Sequence, residues 1–278
     1  MEIIDGRKIS KEILEEVKTK IKGLDFKPVF CDILVGDDLA SLKYVELKKK
    51  KALELGIDFY DANFPKSITT EELILEIEKI NKIPNMSGII VQLPLPNSID
   101  TKKVLDSIDS KLDVDCLGED LSNKFYTGDL FISPPTALAC EALLESLNLD
   151  LLNKKILIIG EGKLVGKPMA NILKTKGYDF NIINSKSENR EELIKEADIL
   201  ITGVGKGSLI NGDMVKDGVI IIDAGTSEED SVLVGDVDFD SVSPKASYIT
   251  PVPGGVGPVT VAMLFSNVLK VAYNKKNE

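Results

Sequence analysis

Apolar residues fall at two periods along this chain, and the periods alternate. Ile and Val recur at helical spacing over residues 9–22, VFCDILVG at 29–36 reads as a strand, and 41–56 returns to helical spacing. DFYDANF then predicts a strand, TTEELILEIEKIN opens with a helix-start signal, and SGIIVQLPLP predicts a buried strand ending in a proline-rich turn. Pro134-Pro135 interrupt the pattern, and a helix over 137–149 is expected to lead into a second domain. From Lys155 the alternation restarts with KILIIG, a glycine-rich turn, a helix from Lys167, DFNII, a charged helix from Asn189, DILITGVG and GVIIIDAG. Repeated βα order of this kind predicts an α/β protein with mainly parallel sheets covered by helices, the second sheet of dinucleotide-binding type. The last segment, VGPVTVAMLFSNVLKVAYNKK, predicts an amphipathic helix that packs back on the first domain.

Composition narrows the chemistry. A net charge of -11 opposes non-specific binding to nucleic acid, which requires clustered positive charge. The short apolar runs and the absence of a signal-like N-terminal pattern predict a cytosolic protein without a membrane span. Cys31, Cys116 and Cys140 are odd in number and far apart, which predicts reduced thiols and no CxxC metal site. The chain has no histidine, so proton transfer must fall to Lys, Asp, Glu, Tyr or Cys, and the commonest zinc ligand is missing.

Several short stretches could carry chemistry, and each has a plainer alternative. Tyr44 and Lys48 stand four apart and share one side of a helix, with Lys48 between the buried-stripe residues Val45 and Ala52. The run Lys48–Lys51 is either a solvated face or a face with one lysine at the mouth of a cleft. Gln92 ends the strand GIIVQ, at the carboxyl edge where ligands sit in open α/β sheets, though a polar strand end before a stiff turn would look the same. In LDVDC an extended backbone would send Asp113 and Asp115 to one face, which could line a pocket. The turn Gly160-Glu161-Gly162-Lys163-Leu164-Val165-Gly166 between a strand and a helix could receive a pyrophosphate. Its spacing is one residue longer than the usual fingerprint. No carboxylate follows at Asn184, Ser185 or Lys186; these residues suit a 2′-phosphate, whereas Glu161 would repel one. ITPVPGGVGPVT, residues 249–260, is a rigid loop whose glycines could press backbone against a flat ligand, or a plain turn.

Taken together, VGDDLASLKYVELKKKKALELGI, GIIVQLPLP, LDVD, GKLVGKPMA, ADILITGVGK, GDMVKDGVIIIDAG and ITPVPGGVGPVTVAML make the chain resemble, over nearly its whole length, the bifunctional methylenetetrahydrofolate dehydrogenase/methenyltetrahydrofolate cyclohydrolase family. The resemblance implies a homodimer with folate between two domains. These would be a catalytic domain over 1–135, completed by the C-terminal helix over about 260–278, and a NAD(P)-binding Rossmann-like domain over 136–259. It implies that Lys48 is the catalytic lysine, that Tyr44 and Gln92 tune it, and that Asp115 anchors the pterin. It further implies cofactor contacts at Gly160, Glu161, Gly162, Gly166, Ser185 and Thr226, folate contacts at Pro253, Gly254 and Gly255, NADP as cofactor, and no metal. The sequence departs from the family pattern at Leu39 (usually Pro), Cys116 (usually Gly), Pro135 and Ala137 of PPTA (usually PCTP), Glu161 and Gly162 (commonly Arg and Ser) and Asn184 (usually His). Glu161 keeps NAD open as the cofactor. The alternatives are a monofunctional NAD-dependent dehydrogenase and a non-catalytic folate or dinucleotide binder. A shikimate-dehydrogenase-like enzyme fits the Gln92 and PGGVGP segments poorly.

Overall fold

The computed structural model describes residues 1–128, 131–229 and 232–276. Contacts divide the chain into two compact units, one formed by Glu12–Pro135 with Leu264–Glu278 and the other by Met1–Lys11 with Thr136–Met263. The last two residues of the segment 260–278 lie outside the described residues.

In chain order the elements begin with β1 (Glu2–Ile3), α1 (Gly6–Ile21), β2 (Val29–Val35), α2 (Leu39–Leu55), β3 (Asp58–Phe64), α3 (Thr70–Ile80) and β4 (Met86–Val91). Two short helices follow, α4 (Thr101–Asp106) and α5 (Glu119–Thr127), before α6 (Pro135–Glu145). The second run comprises β5 (Ile156–Ile159), α7 (Gly166–Thr175), β6 (Phe180–Ile183), α8 (Arg190–Glu196), β7 (Ile199–Thr202) and β8 (Ile220–Asp223). It closes with the hairpin β9 (Ser227–Glu229) and β10 (Val232–Val234), then α9 (Phe239–Val242), β11 (Tyr248–Ile249) and α10 (Val256–Lys276).

The first unit is built on a three-stranded parallel sheet ordered β3-β2-β4. Its central strand β2 is buried along six of seven positions, as a strand covered on both faces must be. Phe30 of β2 meets Phe265 of α10 edge to face at 5.3 Å between centroids. Gly88 of β4 faces the same helix: a Cβ there would stand 2.8 Å from Val268, so only glycine lets α10 come this close. The helix α10 is long and apolar enough to cross a membrane by length and composition. Its Val259, Ala262, Phe265, Val268 and Ala272 are nevertheless fully buried in protein, which makes it a core helix.

The second unit is built on an all-parallel six-stranded sheet ordered β1-β11-β8-β7-β5-β6. Leu157, Leu200, Ile221 and Ile249 from four of its strands form one face of its core with Ile194, Ile210 and Val242. The sequence placed the N-terminus with the first domain, yet Met1–Lys11 group with this second sheet because β1 pairs with β11. A two-residue strand carries no period, so nothing local announces that pairing. The helices α4 and α5, one and a half to two and a half turns long, also escape a reading based on periodicity.

Candidate active site

The helix α2 carries the lysine run and starts two residues before the periodicity placed it, because the Asp38 carboxylate accepts from Ser41 N at 2.8 Å. Gly56 closes the helix in the left-handed conformation, its amide bonding back to Ala52 and Leu53. Between these caps the four lysines part company. Lys48 is only 8% exposed, whereas Lys50 is exposed, Lys49 pairs with Asp61 at 2.8 Å and Lys51 pairs with Glu54 at 2.8 Å. The first lysine of the run is therefore the buried one, because it alone shares the stripe of Val45 and Ala52.

Lys48 Nζ donates to Gln92 Oε1 at 2.8 Å. Gln92 follows the last residue of β4, its backbone N still bonded to Ile33 O at 2.9 Å, and its Nε2 donates to Leu93 O at 2.9 Å. The side-chain amide is thus held with its oxygen toward the lysine. On the other side Asp32 Oδ2 lies 2.7 Å from the same Nζ. Asp32 sits in the middle of β2 and is fully buried; sequence inspection did not single it out, because one acid in the apolar run VFCDILV gives no hint of its partner. Tyr44, one turn before Lys48, is 48% exposed and so stands at the open side of the helix.

Asp113 and Asp115 do not share a face. The segment is a turn beside β4, joined to it by a single bridge at Ile89, and the Asp113 carboxylate folds back to accept from Gly118 N at 2.8 Å and Asp115 N at 3.2 Å. Asp113 is buried and clamps the loop, and the expectation that it lines a pocket is corrected: the extended backbone which that required is absent. Asp115 remains partly accessible. Its carboxyl is pushed up to about 7, first by burial and then by Asp113, with Lys48 opposing and Asp32 reinforcing the shift. Those electrostatic couplings place Lys48, Asp32 and Asp115 in one charged cluster.

The loop bearing Asp115 is pinned from α10: the fully buried Asn267 donates Nδ2 to Val114 O at 3.0 Å and to Ser133 O at 2.8 Å. Cys116, at a position where the family usually has glycine, adopts φ 59 and so carries a side chain in the left-handed region, at a cost of roughly 1 kcal/mol. Burial raises the thiols of Cys31, Cys116 and Cys140, which holds all three protonated.

In the second unit the turn Gly160–Gly166 joins β5 to α7. A Cβ on Gly166 would stand 1.9 Å from Gly160 O, so glycine is required where the helix start closes on the turn. The helix α7 has no side-chain cap, but its Lys167 amide donates to Gly162 O at 3.1 Å, Pro168 has no N–H and Met169 N donates to Val165 O at 2.9 Å, so what is open to a pyrophosphate is the glycine turn itself, where Gly162 is exposed. The residues present therefore fit a dinucleotide. Glu161 is exposed, and its Oε2 accepts from Asn184 Nδ2 at 2.9 Å, which joins the turn to the end of β6. Ser185 is exposed beside Asn184, and Thr226 is exposed after β8, its carbonyl 3.6 Å from the Cβ position of Gly205 in the loop after β7.

Two acids that sequence inspection passed over shape these loops. Asp236, fully buried, accepts from Thr202 Oγ1 at 2.7 Å, Val204 N at 2.6 Å and Lys206 N at 2.8 Å. Asp223 accepts from Gly225 N, Asp236 N and Val237 N at 2.9, 3.2 and 3.0 Å, and burial together with Asp236 pushes its carboxyl up to about 7. Only the folded chain brings Asp236 under the β7 loop. Pro253, Gly254 and Gly255 belong to this unit as well, following a cis Val252–Pro253 bond, with Gly254 at φ 119 and the Gly255 amide bonded to Pro251 O at 2.8 Å. Among the described residues no cluster of three or more Cys, Asp or Glu side chains could hold a metal ion.

Comparison with known proteins covers nearly the full chain. Residues 4–115 match the tetrahydrofolate dehydrogenase/cyclohydrolase catalytic domain, and residues 134–276 match the NAD(P)-binding domain of the same family. The chain is 44% identical over 282 residues to the bifunctional protein FolD of Nautilia profundicola, covering 100% of this chain and 99% of that one. Its fold superposes on the bifunctional FolD enzyme of Campylobacter jejuni with a TM-score of 0.94 at 39% identity, covering 99% of each chain. It superposes on the Trypanosoma brucei enzyme, solved with NADP and an inhibitor, with a TM-score of 0.93 at 32% identity, covering 99% of this chain and 98% of that one. The chain belongs to the tetrahydrofolate dehydrogenase/cyclohydrolase family.

Proposed function

We propose that the protein oxidises 5,10-methylenetetrahydrofolate with a nicotinamide dinucleotide and hydrolyses the methenyl product to 10-formyltetrahydrofolate. The observation that carries this reading is the buried lysine held between Gln92 and an acid, in a chain that matches both domains of the family. The folate chemistry falls to the unit Glu12–Pro135 with Leu264–Glu278, and dinucleotide binding to the unit Met1–Lys11 with Thr136–Met263.

Each residue then has a task its chemistry suits. An ammonium has three donors. With one on Gln92 and one directed at Asp32, Lys48 keeps one for the folate, where it stabilises charge and assists proton movement as water adds to the methenyl carbon. Tyr44, on the accessible side of α2, orients the folate ring and tunes the lysine. A carboxyl titrating near 7 can both donate to and accept from a pterin edge, which is the task we assign to Asp115.

The turn Gly160–Gly166, with Ser185 and Thr226, would hold the dinucleotide, which supplies the hydride acceptor when bound. NADP is the reading the family resemblance supports. A second reading, NAD, is favoured by one observation: Glu161 bonded to Asn184 puts a carboxylate at the end of β6, where a ribose 2′-hydroxyl can donate to it and a 2′-phosphate is repelled. A cytosolic homodimer completes the proposal, and the three free thiols suit a reducing compartment.

The test is Lys48→Met. Hydrolysis of 5,10-methenyltetrahydrofolate should fall by about 100-fold or more while folate binding persists. Hydrolysis at the wild-type rate would remove Lys48 from the mechanism.

A further inference from the structure

A carboxylate in the centre of a buried parallel strand is costly. Asp32 lies between Asp61 of β3 and Ile90 of β4 in register and is fully buried. Neither of its oxygens has a partner in full hydrogen-bond geometry among the described residues, and its contact with Lys48 is an ion contact at 2.7 Å. An apolar residue would fill this strand position without the desolvation penalty, and replacing a buried ion pair by apolar groups is often neutral or stabilising. Stability therefore does not account for an acid at this place.

We infer that Asp32 is a positioning residue for the hydrolytic step: it fixes the ammonium of Lys48 against β2, opposite Gln92, so that the remaining donor points away from the sheet. The inference rests on the role proposed for Lys48. Asp32 does not touch folate; it acts through the lysine. Among the described residues, the titratable groups facing the pair are Asp115, from the loop beside β4, the Cys31 thiol, which both Asp32 and Asp61 raise, and Asp61, in register on β3 and already paired with Lys49 at 2.8 Å. Asp32, Lys48 and Asp115, two acidic groups and one basic, share the cluster. Because Asp32 occupies the lysine, Asp115 is left partly uncompensated, in keeping with its raised carboxyl, while burial raises the Asp32 carboxyl against the opposing pull of Lys48.

Asp32→Asn keeps the shape and removes the charge. Cyclohydrolase kcat is expected to fall roughly 10- to 100-fold, with the folate KM within about threefold and the dehydrogenase rate changed less than the hydrolytic rate. The pH–rate profile of hydrolysis should move to lower pH by about one pH unit, because the pair loses its anion and Lys48 becomes available to Asp115. A purely structural strand residue would depress both activities together and leave the profile in place. An Asp32→Asn enzyme with wild-type hydrolysis and an unmoved profile overturns the inference.

Thermal unfolding separates the remaining cases. If the single variant is poorly folded, Asp32→Asn is introduced into Lys48→Met, where no ammonium is left unpaired. A smaller stability loss there than in the wild-type background supports the coupling, and an equal loss in both backgrounds refutes it. Lys48→Met that hydrolyses normally would sink the underlying reading. An inactive Lys48→Met with a wild-type-like Asp32→Asn would sink only the role of Asp32.

Discussion

Replacing Asn267 by leucine tests whether α10 is what holds the loop that carries Asp115 in place. The substitution keeps a similar volume and removes the Nδ2 donor, so Val114 O and Ser133 O lose their bonds of 3.0 and 2.8 Å in a site where Asn267 is fully buried. Each lost bond costs on the order of 1–2 kcal/mol once the stranded carbonyl is included. Asn267 Oδ1 is itself buried without a partner, so the apolar side chain recovers about 1 kcal/mol. The net loss is roughly 1–3 kcal/mol, which lowers Tm by about 3–10 °C in a unit of this size. Because Val114 adjoins Asp115, the loop should open more often before the unit unfolds, and amide exchange from Val114 to Gly118 should accelerate by about 10- to 100-fold. The folate KM should rise with it. Asn267→Asp is expected to be worse than leucine, since it turns a carboxylate toward two carbonyl oxygens. Thermal melts and hydrogen exchange by mass spectrometry read both effects. An Asn267→Leu enzyme that melts within about 1 °C of wild type, with unchanged exchange in the loop, would refute the assignment.

Glu161→Gln removes the carboxylate beside Asn184 and should shift the NADP/NAD ratio of kcat/KM toward NADP by about tenfold, read from initial rates of nicotinamide reduction; an unchanged ratio would exclude Glu161 from cofactor choice. Asp223 has its folded-state carboxyl raised from 3.8 to about 7, so its contribution to stability is full at acid pH and is lost as pH rises through about 7. The Tm difference between wild type and Asp223→Asn should accordingly shrink between about pH 5 and pH 8, and a difference that widens over that range would contradict the assignment.

The order of elements was legible in the sequence because strand and helix periods differ and because α3 announces its start through Thr69, whereas periodicity passes over the caps Asp38 and Gly56 of α2 and misplaces its ends by one or two residues. The apolar stripe set Lys48 apart from Lys50 and Lys51, and Gln92 stood at a strand end, but both had plainer readings that only the family resemblance put aside. What these residues touch was not legible. The approach of Asp32 to Lys48 spans 16 residues, that of Asn267 to Val114 spans 153, and that of Asp236 to Thr202 spans 34. Asp113 looked like the twin of Asp115, but a turn sent its carboxylate back into the loop. Local propensities act over a few residues and so write the elements into the sequence. Long-range packing chooses which strand lies beside which, and only that choice gave Lys48 a buried counter-ion, pinned the Asp115 loop to α10 and carried β1 into the second sheet.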